Sequence, residues 1–216
     1  PDISPDGGRI LFGTSRHQLD LSVFSLADSQ ARPLTGDTWA DRFPVWSPDG
    51  SRIAFRSQRN SDDPAQRSIV LQDPDGGNEQ ELPGPAGLRD FDWCGTRRLI
   101  FAATAGDERR LGLLDMQDNR VHLLSAGFYR VWAPVADQAC SRVVFCGRET
   151  RRQRRRLWTV DPARPVPRPL HDQPGRETYP SFSPDGRWLA YRWAPSHERM
   201  AEAELRVVPT GPADPS

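Results

Sequence analysis

The stretch PVWSPDGSRIAF, residues 44–55, contains the pattern that decides the fold. It reads as a strand, a four-residue turn and a second strand. In the turn, proline fixes φ, aspartate bonds to nearby backbone amides, and glycine accepts a positive φ. The residues after the turn alternate polar and apolar side chains, which is typical of a half-buried strand. The stretch therefore predicts a β-hairpin.

The same pattern recurs along the whole chain. Residues 180–191 (PSFSPDGRWLAY) and 1–12 (PDISPDGGRILF) match it closely. Two more copies depart from it at the turn: residues 91–101 are one residue short, and residues 131–145 have a longer turn. An aromatic residue closes each copy, and successive aromatics are separated by 43, 46, 44 and 46 residues: Phe12, Phe55, Phe101, Phe145 and Tyr191.

A period of roughly 40–45 residues with four short strands per repeat is what β-propeller blades require. No segment keeps a helical period over three turns. We therefore predict an all-β chain with about five four-stranded blades, either complete or part of a larger propeller of roughly six to eight blades. The expected repeats cover about residues 1–36, 37–84, 85–127, 128–172 and 173–208, followed by a flexible tail at 209–216.

The fifth repeat lacks a convincing fourth strand. A propeller closes by pairing its two chain ends in one blade, which removes exposed sheet edges. We therefore expect the sequence to be an excised domain in which residues upstream of Pro1 supply the missing outer strand.

The charge balance opposes a general attraction to nucleic acid or to an anionic membrane. The chain has 29 basic and 29 acidic residues, and every basic residue is arginine. No apolar run approaches the roughly 18 residues that a membrane-spanning helix needs. We predict no direct nucleic-acid contact and no membrane insertion within this segment.

The sequence indicates no catalytic, cofactor-binding or metal-binding residues. Each turn aspartate offers a single carboxylate, whereas calcium takes six to eight oxygen ligands. There is no Gly-x-Ser-x-Gly elbow of a hydrolase and no glycine-rich phosphate loop. The cysteines Cys94, Cys140 and Cys146 are odd in number and have no paired spacing, so we expect neither a disulfide framework nor a zinc site. No cofactor is predicted.

Loop variation on one face favours a binding surface there. The loops at about 57–67 and 193–202 vary in composition, whereas the turns on the opposite face are short and uniform. We predict that Arg42, Arg89 and Arg130, which lie between repeats on the variable face, line the mouth of a central channel and contact a partner. The alternative is that these arginines only solvate strand ends.

A basic run at residues 148–156 is the strongest local charge feature. It lies between the second and third strands of its repeat, so we interpret it as a solvated hairpin loop. The alternatives are a docking surface for an acidic partner and a nucleic-acid contact.

The Ser-Pro-Asp-Gly turn, the Ile-Ala-Phe strand and the closing Leu34-Thr35-Gly36 resemble the repeat of TolB-type propellers over about residues 1–208. The resemblance implies a non-catalytic module that binds a protein or peptide. It could be the C-terminal sensor of a bacterial winged-helix regulator or a TolB-type envelope component. Another member of this group is the substrate-gating propeller of prolyl-oligopeptidase-like peptidases, and a structural scaffold is a further alternative. A periplasmic location, with a membrane-tethered parent, is expected; a cytoplasmic one stays open.

Overall fold

The computed structural model describes residues 1–15, 19–59, 67–82, 85, 87–105 and 107–211. These residues form five β-sheets and one short 3-10 helix at Met200–Glu202. In every sheet the strands neighbour one another in chain order. The predicted all-β class and the five propeller blades are confirmed.

The strands fall into five consecutive groups. The first sheet contains β1 (Asp2–Ile3), β2 (Arg9–Ser15), β3 (Leu19–Ser25) and β4 (Gln30–Pro33). The second contains β5 (Asp41–Trp46), β6 (Ile53–Ser57), β7 (Ser68–Gln72) and β8 (Gln80–Leu82). The third contains β9 (Leu88–Cys94), β10 (Arg98–Ala105), β11 (Glu108–Asp115) and β12 (Val121–Phe128). The fourth contains β13 (Arg130–Ala136), β14 (Val143–Arg148), β15 (Arg156–Asp161) and β16 (Arg164–Pro169). The fifth contains β17 (Arg176–Phe182), β18 (Trp188–Ala194) and β19 (Glu204–Pro209).

The chain divides into two compact units. Residues Pro1–Leu88 form one and contain the first two sheets, and residues Arg89–Ser216 form the other and contain the last three. Within each unit, the apolar core lies between the faces of consecutive sheets. Phe55 is fully buried between the first and second sheets, and Phe145 is fully buried between the third and fourth. Tyr191 is fully buried between the fourth and fifth. At these three positions the repeated aromatic therefore fills the space between neighbouring blades.

The Ser-Pro-Asp-Gly turn is held by its own side chains. The Ser47 hydroxyl donates to Asp49 Oδ1 at 2.7 Å and accepts the amide of Arg52 at 2.9 Å. The amide of Gly50 donates to the Ser47 carbonyl at 2.9 Å, with Gly50 at φ +70°. Because these bonds are local, they connect the first two strands of a blade in the same way wherever the motif occurs.

The fifth sheet has three strands among the described residues, and its outer edge is β19. Leu205 and Val207 on that edge are 77% and 56% exposed. The amide of Thr210 donates to the carbonyl of Arg187 at 3.0 Å, so backbone order continues past the predicted end of the repeat at residue 208. The rest of the predicted tail, residues 212–216, lies outside the described residues, and the origin of a fourth strand stays a prediction.

Candidate binding face

The end of the sheets opposite the Ser-Pro-Asp-Gly turns carries a concentration of arginine in the second unit. Arg130 and Arg176 are the first residues of β13 and β17, and Arg148 is the last residue of β14. Arg155 directly precedes β15, and Arg109 lies at the start of β11. We call these five residues the arginine cluster.

Two members of the cluster face each other across neighbouring strands. Arg130 and Arg148 are direct partners in the antiparallel register of β13 and β14. Both guanidinium groups also lie against the ring of Tyr129, at 5.8 Å and 5.2 Å from its centre. The next arginine, Arg155, lies 5.0 Å from the ring centre of Trp132. Like charges placed directly opposite each other destabilise a sheet, so this arrangement is unfavourable for the fold alone.

The electrostatic surroundings agree with the geometry. The pKa values of Arg109, Arg148 and Arg176 are all lowered from the ordinary value of arginine, first by burial and then by neighbouring guanidinium groups. Arg130 contributes to the shift at both Arg109 and Arg148, and Arg155 contributes to the shift at both Arg148 and Arg176. The five arginines thus form a continuous series of repelling charges.

Much of the hydrogen-bonding capacity of the cluster is unused. The Nε atoms of Arg148, Arg155 and Arg176 are buried and have no hydrogen-bond partner in the described part of the chain. None of the five cluster residues forms an ion pair with a described carboxylate. Asp172 forms ion pairs with two other arginines of the basic run, Arg154 and Arg156, each at 3.7 Å. The cluster therefore offers several planar donors to an external anion.

A backbone bulge exposes an aromatic side chain on β17, the strand that begins at Arg176. Tyr179 on β17 has φ +54°, precedes a proline and lies where the register between β17 and β18 shifts. Its side chain is 64% exposed. Equivalent bulges place Ala133 at φ +46° on β13 and Phe43 at φ +54° on β5. Residues other than glycine rarely adopt this conformation, and such outliers concentrate at binding and catalytic sites.

The structure brings together two of the three arginines predicted from the sequence. Arg89 and Arg130 both lie close enough to Arg109 to lower its pKa. Arg42 belongs to the first unit, where it is the register partner of Arg56. The position of Arg42, Arg89 and Arg130 at the mouth of a central channel stays a prediction. In the predicted variable loop at 57–67, residues 60–66 lie outside the described residues.

Sequence reasoning missed four cluster members: Arg109, Arg148, Arg155 and Arg176. The basic run at 148–156 was the available signal for Arg148 and Arg155. As predicted, the middle of this run forms an exposed loop. The side-chain oxygen of Gln153 accepts the amides of Glu149 and Thr150, both at 2.9 Å. The ends of the run, however, belong to the strand termini that build the cluster.

The expectation of no disulfide is wrong. Cys94 and Cys140 are bonded, with their Cα atoms 4.6 Å apart and 46 positions apart in sequence. Cys94 ends β9, and Cys140 takes the place of the turn glycine in the fourth sheet, with φ +54°. The turns of neighbouring blades come close together in the second unit, so a separation of one repeat brings the two sulfurs together. The odd number of cysteines and their lack of paired spacing, on which the expectation rested, do not record this proximity between turns.

The remaining cysteine, Cys146, is a free thiol with low reactivity. Cys146 is fully buried, and burial raises the pKa of its thiol from 9.0 to about 12.

Among the described residues, no group of three or more His, Cys, Asp or Glu side chains is placed to hold a metal ion. In the same part of the chain, no helix has the length and apolar character needed to cross a membrane.

No family model and no curated protein matches this chain. Solved structures do: a TolB-type protein from Agrobacterium tumefaciens superimposes with a TM-score of 0.76 at 17% identity, over 97% of this chain and 76% of that one. TolB from Acinetobacter baumannii gives a TM-score of 0.74 at 16% identity, over 95% of this chain and 54% of that one. The fold is that of a TolB-like β-propeller.

Enzymes share the same propeller fold. The oligogalacturonate lyase of Vibrio parahaemolyticus superimposes with a TM-score of 0.68 at 16% identity, over 97% of this chain and 61% of that one. The propellers of prolyl endopeptidases also match. This chain spans about half the length of the Acinetobacter baumannii TolB. A TolB-like propeller is therefore compatible with several functions, and its function has to be argued from its own surface.

Proposed function

We propose that this propeller is a non-catalytic module that binds a protein or peptide partner. The observation that carries the proposal is the binding face in the second unit, where the arginine cluster lies at the strand ends and the exposed Tyr179 lies on the first strand of the fifth sheet. Arginine and tyrosine, together with tryptophan, are enriched among the residues that contribute most to affinity at protein interfaces. Both are mounted on a rigid sheet scaffold, which reduces the entropy lost on binding.

We further propose that the module works outside the reducing cytoplasm. Disulfides persist in oxidising compartments such as the bacterial periplasm and are rare in cytosolic proteins. The Cys94–Cys140 bond supports this location. A periplasmic sensor domain of a membrane-tethered transcriptional regulator and a TolB-type envelope component are both consistent with such a module, and we favour the sensor.

Selection from a random peptide display library on the immobilised chain tests the binding function. We expect enriched peptides whose affinity falls at least tenfold for Tyr179→Ala. The matched control is Trp188→Ala, because Trp188 is an exposed aromatic, 49% accessible, next to the Ser-Pro-Asp-Gly turn of the same sheet. The proposal is wrong if no peptide is enriched, or if every enriched peptide binds both variants as tightly as the unchanged chain.

A further inference from the structure

The arginine cluster places like charges where they destabilise the β-sheet. Arg130 and Arg148 are paired directly across two strands, and both stack on one tyrosine ring. Burial and the neighbouring guanidinium groups lower the pKa values of Arg109, Arg148 and Arg176. Natural proteins break local rules in this way mainly at functional sites.

The ligand has to be an anion with more than one charged group. Five guanidinium groups follow one another across three consecutive sheets, and three of them keep a buried Nε without a partner. A single small anion would reach only neighbouring members of this series. A chain of carboxylates, in contrast, would engage them one after another, since guanidinium donors match carboxylate oxygens in planar pairs.

The cluster's aromatic residues favour a peptide as the carrier of these carboxylates. Tyr129 and Trp132 already hold three of the guanidinium planes, at 5.8, 5.2 and 5.0 Å from their ring centres, so their faces are occupied by arginine rather than free to stack nucleobases. The chain as a whole carries no net charge, so a sequence-independent attraction to nucleic acid is not expected.

Resting on the proposed function, we infer that the arginine cluster is the docking site for an acidic peptide segment, whose Asp or Glu carboxylates pair with Arg109, Arg130, Arg148, Arg155 and Arg176. Binding relieves the mutual repulsion of the arginines and supplies acceptors for their unpartnered donors. The site therefore selects partners by the spacing of their acidic residues.

Fluorescence anisotropy with a labelled hexaglutamate peptide tests the inference, with hexaglutamine as the uncharged probe. We expect hexaglutamate to bind and hexaglutamine not to bind, and the affinity for hexaglutamate to fall at least tenfold for the double variant Arg148→Gln/Arg176→Gln. The control Arg97→Gln/Arg187→Gln removes two exposed arginines near the opposite turns and should change affinity less than twofold. Circular dichroism checks that both variants keep their β-structure.

Three results would overturn the inference. One is the absence of hexaglutamate binding up to millimolar concentration, and another is an equal loss in the two double variants. The third is tighter binding of hexauridylate than of hexaglutamate with the same dependence on Arg148 and Arg176, which would identify the site as one for nucleic acid. If display selection yields only peptides without acidic residues that depend on Tyr179, the proposed function stands and the acidic-peptide site does not.

Discussion

The carboxylate of Glu177 accepts the backbone amide of Leu157 at 2.9 Å and so joins the first strand of the fifth sheet to the third strand of the fourth. Glu177 is 2% exposed, and its second oxygen lies 3.2 Å from His171 Nδ1. A buried carboxylate is stable only when its oxygens are paired in this way. The contact therefore stabilises the packing of these two blades, alongside the backbone bond from the Glu177 amide to the Arg155 carbonyl.

Glu177→Ala should be strongly destabilising, because it leaves a buried amide without an acceptor. We expect a loss of about 2–4 kcal/mol in the free energy of unfolding, measured from urea titration. Glu177→Gln keeps an acceptor oxygen and should lose less. The control is Glu202→Ala, whose exposed ion pair with Arg199 should contribute about 0–1 kcal/mol. Equal midpoints for Glu177→Ala and Glu202→Ala would show that the contact does not hold the blades.

Gly112→Ala should also destabilise the second unit. A Cβ at Gly112 would overlap the ring of Phe101, with Cε1 and Cε2 at 2.9 Å, and that ring is nearly completely buried. We expect a loss of about 1–3 kcal/mol from overpacking. Gly36→Ala is the matched control, since nothing lies within 4 Å of a Cβ there. A thermal midpoint for Gly112→Ala as high as that of Gly36→Ala would contradict the packing.

Thiol labelling should separate the three cysteines. With iodoacetamide at pH 8, the folded, unreduced protein should take up no label, because Cys146 is buried with a raised thiol pKa and the other two are bonded. Unfolding without reductant should add one label, and unfolding with reductant three, read by intact mass. Reduction should lower stability by about 2–4 kcal/mol, since the bond closes a loop of some 46 residues. Three labels without reductant would show that the bond is absent.

The turn aspartates should make stability depend on pH. Hydrogen bonds from Ser4 and Ser183, and then from backbone amides, lower the pKa values of Asp6 and Asp185 below the ordinary 3.8. Their ionised forms thus stabilise the fold above pH 4, and this contribution is lost as the pH falls through the lowered pKa values. We expect Asp6→Asn/Asp185→Asn to lower the melting temperature at pH 7, with the difference from wild type disappearing near pH 2. A difference that is constant over this range would refute the assignment.

Removing one arginine from the cluster should stabilise the unliganded protein. Arg130→Gln relieves the repulsion from Arg148, and like-charge pairs of this kind cost about 0.2–1 kcal/mol. We therefore expect a small increase in the urea midpoint together with weaker binding of hexaglutamate. Low salt should enlarge the gain in stability, because screening weakens the repulsion. A decrease in the midpoint would indicate that Arg130 has a structural role instead.

Local chemistry explains which features could be predicted from the sequence. The Ser47 to Gly50 turn is held by bonds within six residues, so its motif predicted the hairpins and their period wherever it occurred. The Cys94–Cys140 bond joins two turns that meet only after neighbouring blades pack, and no local pattern records that proximity. The arginine cluster is similar, because Arg130 and Arg148 become partners only through strand register. The bulge at Tyr179 left no signal beyond the proline that follows it.

The covalent link between the third and fourth sheets also changes how the molecule bears load. When the chain ends are pulled apart, tension passes through the Cys94–Cys140 bond and bypasses the residues between them. That shielded segment includes β10, β11, β12 and β13, and it holds roughly 160 Å of extended chain length. An oxidised molecule stretched in an atomic-force experiment would therefore end shorter by this length than a reduced one. The redox state of this one disulfide therefore determines the end-to-end length that the fully unfolded chain reaches under force.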